Sequence, residues 1–135
     1  MQAPITRLVL RFSVLATSTD LRWTGVWYHV EQGGNGMFAH GAHDPADDSA
    51  SFALKQQSTI STYSVSYPDT PPLQPGSEYT LTVDVEPGEH RMRIERSDGE
   101  SGETELDVTI PPTLNGYVEA FRMQVAVAHL AIYTN

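Results

Sequence analysis

Two imidazoles and three carboxylates stand within nine residues, at His40, His43, Asp44, Asp47 and Asp48 in the run HGAHDPADD. Imidazole nitrogens together with carboxylate oxygens suit zinc or manganese, and carboxylates alone suit calcium. The expectation is a loop able to hold Ca or Zn. The spacing matches neither an EF-hand loop nor a His-Glu-x-x-His helix. A solvated acidic loop has the same composition.

A second group suits a different chemistry. Within LRWTGVWYHVE, alternation puts Trp27, His29 and Glu31 on one strand face, with Trp23 upstream. An indole beside hydrogen-bonding groups suits a sugar ring, whose C–H face stacks on it while its hydroxyls need polar partners. The competing reading is that Trp27 covers a second layer of the fold. Arg91 and Arg93 extend this ligand-binding set toward an acidic sugar, since guanidinium grips carboxylates bidentately. Together with Arg122 they also suit a structural ladder to Asp84, Glu86, Glu105 or Asp107 across a sheet. Glu103, Glu105 and Asp107 share one face of a regular strand. Paired carboxylates at such spacing can run glycoside hydrolysis, but the same residues form a solvated outer face that discourages edge pairing. No nucleophile elbow, P-loop or dinucleotide fingerprint is present, and without cysteine no thiol nucleophile is available.

The elements that must position these groups read as strands. Leu73 to Arg96 gives the firmest pattern. Tyr79, Leu81, Val83 and Val85 alternate against Thr80, Thr82, Asp84 and Glu86. After the turn EPGEH, His90, Met92 and Ile94 alternate against Arg91, Arg93 and Glu95. Similar alternation marks Leu8 to Val14, Thr59 to Tyr67, Glu105 to Ile110 and Phe121 to Val127. Leu21 to Glu31 reads as a further strand, with short ones at Met37 to Ala39 and Ser51 to Lys55. Gly25 implies a bulge or a close backbone approach, and the phase slip at Ala128-His129 implies a bulge. GGNG at 33–36 is a turn, Gly41 to Ser49 a loop, and PDTPPLQPG an irregular connection. Eight to ten strands and no helix predict an all-β, antiparallel two-sheet sandwich, a jelly roll, forming one domain over residues 1–135. The apolar first and last strands are expected to pair inside it.

Composition narrows the partners. The net charge is −9, with one lysine and seven arginines. That excludes a nucleic-acid interface, which needs a basic surface, and disfavours anionic membranes. No apolar run is long enough to insert in a bilayer. Without cysteine there is no disulfide and no thiolate metal site. The N-terminal apolar patch is interrupted by Arg7 and Arg11, so no signal peptide is expected. The protein is then cytoplasmic, or a domain of an exported chain.

The motifs LVLRFSV, GVWYHV, GGNG, PGSEYTLTVDVEPGEHRMRIERSDG and VAHLAIYTN, taken in order, resemble the concanavalin A-like or laminin G-like jelly rolls. The resemblance spans most of the chain. It implies a carbohydrate-binding module, a lectin, a glycoside hydrolase or a polysaccharide lyase. The retaining glycanases of that superfamily carry a Glu-x-Asp-x-Glu strand. The nearest run here, Glu103-Thr-Glu105-Leu-Asp107, has the residue types in another order, which counts against glycanase activity.

The sequence therefore favours a non-catalytic, lectin-like module whose partner is a carbohydrate. The alternative is a structural or assembly module with a protein partner, such as a phage or cell-surface component or an accessory domain of a larger enzyme. A small polysaccharide-processing enzyme comes third.

Overall fold

A computed structural model describes residues 5–17, 21–30, 36–43, 49–56, 59–66, 73, 75–86, 88–97, 99, 101–108 and 116–134. These form ten strands: β1 (Ile5–Thr17), β2 (Arg22–Val30), β3 (Gly36–His43), β4 (Ser49–Gln56), β5 (Thr59–Ser66), β6 (Glu78–Glu86), β7 (Glu89–Arg96), β8 (Ser101–Asp107), β9 (Tyr117–Phe121) and β10 (Met123–Thr134). One five-stranded sheet runs β10-β1-β6-β7-β8 and the other β5-β4-β3-β2-β9. Every pairing is antiparallel. No helix occurs among the described residues, so none there is long and apolar enough to cross a membrane.

The period-two pattern does what it predicts. Leu8, Leu10, Phe12 and Val14 of β1 meet Tyr79, Leu81 and Val83 of β6 and Met92 and Ile94 of β7 in the core. Val26, Tyr28, Met37, Ala39, Phe52 and Leu54 supply the facing layer. The polar partners of the hairpin β6–β7 point to solvent and pair there. Arg7 reaches Asp84 at 2.6 Å, Arg91 reaches Glu105 at 3.1 Å and Glu89 at 3.2 Å, and Arg93 reaches Glu95 at 2.9 Å. Of the expected cross-strand ladder the Arg91–Glu105 rung is present; Asp84 takes Arg7 instead, and Arg93 pairs along its own strand with Glu95.

Three features depart from the regular pattern. The pairing of β1 with β10 slips between Arg11 and Phe12, leaving Ala128 unmatched, which is the bulge expected at Ala128-His129. The continuous strand expected from Phe121 to Val127 is instead broken at Arg122, whose φ is 56°. There the chain leaves one sheet for the other, so Arg122 does not share a solvent row with Arg91 and Arg93. β3 also runs on to His43, where a loop was expected from Gly41, because β2 and β4 pair with it along its whole length.

A direct side-chain contact crosses the core. The Tyr28 hydroxyl on β2 and Nδ1 of His90 on β7 lie 2.8 Å apart, both buried, so the two sheets are hydrogen-bonded through their interior. Burial pushes the His90 imidazole down to about 4 and raises the Tyr28 phenol. The uncharged forms of both are held.

Candidate functional site

The face of β2 turned away from the core carries Trp23, Gly25 and Trp27. Register sets their neighbours in three rows across the sheet. Tyr117, Trp27, Phe38 and Lys55 form the first row. Glu119, Gly25, His40 and Ala53 form the second, and Phe121, Trp23 and Ala42 the third. Strands about 4.8 Å apart bring such cross-strand pairs into contact.

Glu119 holds the centre. The Trp23 indole N–H donates to its Oε1 at 3.0 Å, and the Trp27 indole N–H donates to its Oε2 at 2.6 Å. The buried Thr24 hydroxyl donates to the Glu119 backbone carbonyl at 2.8 Å, which fastens β9 to β2. Both indoles are thus fixed in orientation by one carboxylate, and each carboxylate oxygen keeps lone-pair capacity for a further donor.

The rings stand upright on the sheet and stack. Trp27 lies on Phe38 with centroids 4.3 Å apart, and Phe38 lies on His40 at 4.4 Å, each pair within 7° of parallel. Tyr117 leans toward Trp27 from the other side at 6.4 Å. Both faces of Trp27 and of Phe38 are therefore taken. Trp23 differs. It stacks on Phe121 at 3.9 Å, while its other face looks toward Ala42, a methyl group, across β3. Among the described residues no second ring stacks on Trp23, which leaves a candidate slot between Trp23 and His40 on the neighbouring row. Gly25 lies beside it, and a Cβ there would stand 2.6 Å from both Cα and Cβ of His40 and would strike the Ala39 carbonyl oxygen. The close backbone approach expected at Gly25 is what occurs; the bulge sits further along.

His40 belongs to this face. Burial pushes its imidazole down to about 4, the Lys55 charge adds to that, and Glu119 opposes it weakly. The ring is neutral at pH 7, and its Nδ1 is buried with no hydrogen-bond partner among the described residues.

Several expectations are corrected by this geometry. Trp27 and His29 are not neighbours on one regular face, because register slips between them and His29 is buried opposite Met37. Glu31 lies outside the described residues. Arg91 and Arg93 lie on the other sheet, in the ion pairs already described, so the structure does not bring them to the tryptophans. Glu103, Glu105 and Asp107 share an exposed face of β8 as expected, with Glu105 held by Arg91. His40 and His43, three apart on an unbroken strand, point to opposite faces of β3 and cannot share an ion. Asp44, Asp47 and Asp48 lie outside the described residues. Among the described residues no three His, Cys, Asp or Glu side chains are grouped to hold a metal.

Phe38, Lys55, Glu119 and Phe121 went unassigned by sequence reasoning, and His40 was expected in a metal-holding loop instead. The signal available was the alternation Tyr117, Glu119, Phe121, with a lone acid between two aromatics.

No family model matches the chain, and no curated protein matches it in sequence. Solved structures do match. An alginate lyase from Klebsiella pneumoniae superposes with a TM-score of 0.69 at 10% identity, over 98% of this chain and 61% of that one. The carbohydrate-binding module CBM66 from Bacillus subtilis gives 0.58 at 11% identity, over 99% of this chain and 78% of that one. Sheep galectin-11 gives 0.54 at 9% identity, over 98% of this chain and 95% of that one. The chain thus spans about three fifths of the lyase. These likenesses establish the two-sheet sandwich; the concanavalin A-like or laminin G-like assignment is finer than they reach.

Proposed function

We propose that the protein is a carbohydrate-binding, lectin-like module, with a jelly roll of the concanavalin A-like kind. The sugar ring stands in the slot beside Trp23, its C–H face against the free face of the indole. Its hydroxyls donate to Glu119 and meet the neutral His40 imidazole. The observation that carries this reading is the Glu119 carboxylate clamped between two indole N–H groups on an outward sheet face. A carboxylate there has no core to support, and it fixes Trp23, the ring a sugar can stack on, against the covered Trp27. Carbohydrate-binding module and galectin neighbours of the same fold support it.

The test is isothermal titration against a panel of mono- and oligosaccharides, with Trp23→Ala as the control. Binding that Trp23→Ala weakens at least tenfold, with the melting temperature nearly unchanged, is the expected result. Absence of binding to every sugar in the panel overturns the reading.

An assembly role is the second reading, and β10 favours it. This edge strand has no Asp, Glu, Lys or Arg from Met123 to Thr134, and it exposes Val127, Leu130 and Tyr133. Long edges are ordinarily blunted by charge or proline. An uncharged antiparallel edge can pair with a second copy of itself about a two-fold axis. Sedimentation should then show a dimer that Val127→Lys dissociates; a monomer at every concentration removes this reading.

A further inference from the structure

Lys55 is the one lysine of the chain. It is half-buried on β4, on the same outward face as Glu119 and the two tryptophans, directly across from Phe38. Most of the other basic residues are engaged. Arg7, Arg91 and Arg93 hold carboxylates, and Arg22 donates to the Leu73 carbonyl at 3.2 Å. No carboxylate pairs with Lys55 among the described residues. Arg11 is likewise without an ion pair there, but it is exposed on the other sheet, where water solvates it. Lys55 differs in its place: it stands opposite Phe38 at the end of the aromatic row, so its stem can lie along apolar surface while its head stays free to meet an anion on the face that carries Trp23 and Glu119.

The position relative to the slot is set by register. Trp23, Ala42 and Ser51 form one row, and Lys55 lies four residues further along β4. At about 3.3 Å per residue that is roughly 13 Å along the strand, and β4 lies two strands, roughly 10 Å, across from β2; the lysine's flexible four-carbon stem shortens the gap from its side and a ring seated over β3 shortens it from the other. A single sugar ring against Trp23 does not cover this distance. A ring linked to it does, passing over Ala53 and beside His40, where no side chain of the described residues bears negative charge except Glu119.

Resting on the carbohydrate-binding reading, we infer that the ligand is an acidic oligosaccharide of at least two rings, with the ring next to the Trp23-bound one presenting a carboxylate to Lys55. The ammonium selects the anion, while the Trp23 slot and Glu119 hold the neighbouring ring. The closeness of Lys55 to the imidazole is mirrored in its effect on His40, which its charge helps keep unprotonated. A neutral His40 leaves Lys55 as the cation facing the ligand at pH 7.

The experiment compares a neutral disaccharide, its uronic-acid counterpart and a sulfated counterpart, titrated into the wild-type protein, Lys55→Met and Lys55→Arg. A charge-assisted contact contributes on the order of a tenfold preference. The wild type should therefore bind the uronic-acid disaccharide about tenfold more tightly than the neutral one. Lys55→Met should bind the two equally at the neutral affinity, and Lys55→Arg should keep most of the preference. Acetylating the folded wild-type protein supplies a second route, since Lys55 is its single lysine; it should erase the preference as Lys55→Met does, while the same treatment of Lys55→Arg, which modifies the α-amine alone, should leave the preference in place. Equal wild-type affinity for neutral and uronic-acid sugars overturns this inference and leaves carbohydrate binding intact. Preference for the sulfated sugar alone overturns the carboxylate assignment. Failure of all three to bind, while other neutral sugars also fail, removes the carbohydrate reading itself.

Discussion

Glu119 does more than any other side chain on the outward face, because one carboxylate orients two indoles. Charge-assisted hydrogen bonds of this kind are roughly twice as strong as neutral ones. Glu119→Gln keeps the shape but presents an amide whose NH2 group faces an indole N–H, so one of the two bonds is lost. Its expected effect is a shift in tryptophan emission, a loss of about 1 kcal/mol of stability, and sugar affinity reduced by tenfold or more. Unchanged emission and affinity would show that the clamp is incidental. The two tryptophans should separate in the same assay. Trp27 covers Phe38, which is 5% exposed, so Trp27→Ala should cost about 2 kcal/mol in chemical denaturation. Trp23→Ala should cost less and remove binding. Sequence alone did not separate them: it set both in the binding group and left Trp27 either as the platform or as cover for a second layer. Trp27 has polar residues two and four places on, which suggested an exposed platform. The partners that decide the matter, Phe38 and Glu119, come from strands distant in the chain, and the register that delivers them leaves no local mark.

At the scale of elements, the strand pattern was legible wherever one face was apolar and the other charged. The hairpin β6–β7 and strand β1 are the clearest cases, and their buried and exposed residues fall as alternation requires. Legibility failed where a strand has apolar residues on both faces. β3 reads GMFAHGAH and is buried on both sides, so only a short strand was expected and its end was taken for a loop. That is why His40 and His43 looked like one cluster. The change of sheets at Arg122 was hidden too, because Phe121 and Met123 are apolar in the same phase while facing different environments. Gly25 shows how an element sets the site. Gly25→Ala would drive a methyl group into β3 at Ala39 and His40. Overpacking against backbone costs typically 1–3 kcal/mol. The variant should melt at lower temperature, and any folded fraction should have lost sugar binding because β3 moves away from Trp23. A fully stable Gly25→Ala protein would mean that β2 and β3 approach less closely than this packing requires.

Across the whole molecule, the two sheets are joined by apolar packing and by buried polar contacts, among them the direct hydrogen bond between Tyr28 and His90. The packing makes the larger contribution: Phe52, fully buried between the sheets, should cost about 3–5 kcal/mol when replaced by alanine. Burial of the His90 imidazole instead makes stability depend on pH. His90 is held down to about 4 in the fold by burial, and an unfolded histidine titrates near 6.5. Below pH 6.5 the unfolded chain therefore binds a proton that the native protein refuses. Stability is complete above that pH, falls as the pH drops toward 4, and stops falling on this account once the native imidazole is protonated. His40, also depressed to about 4, acts in the same direction. Urea unfolding followed at pH 7.5, 6 and 5 should show a midpoint that declines with acidity, and calorimetry at pH 5.5 should register uptake of up to two protons on unfolding. His90→Gln keeps a polar partner for Tyr28 and cannot titrate, so it should be less stable at pH 7.5 yet show a shallower decline. A His90→Gln slope as steep as that of the wild type would place the acid sensitivity elsewhere than in the buried His90 imidazole.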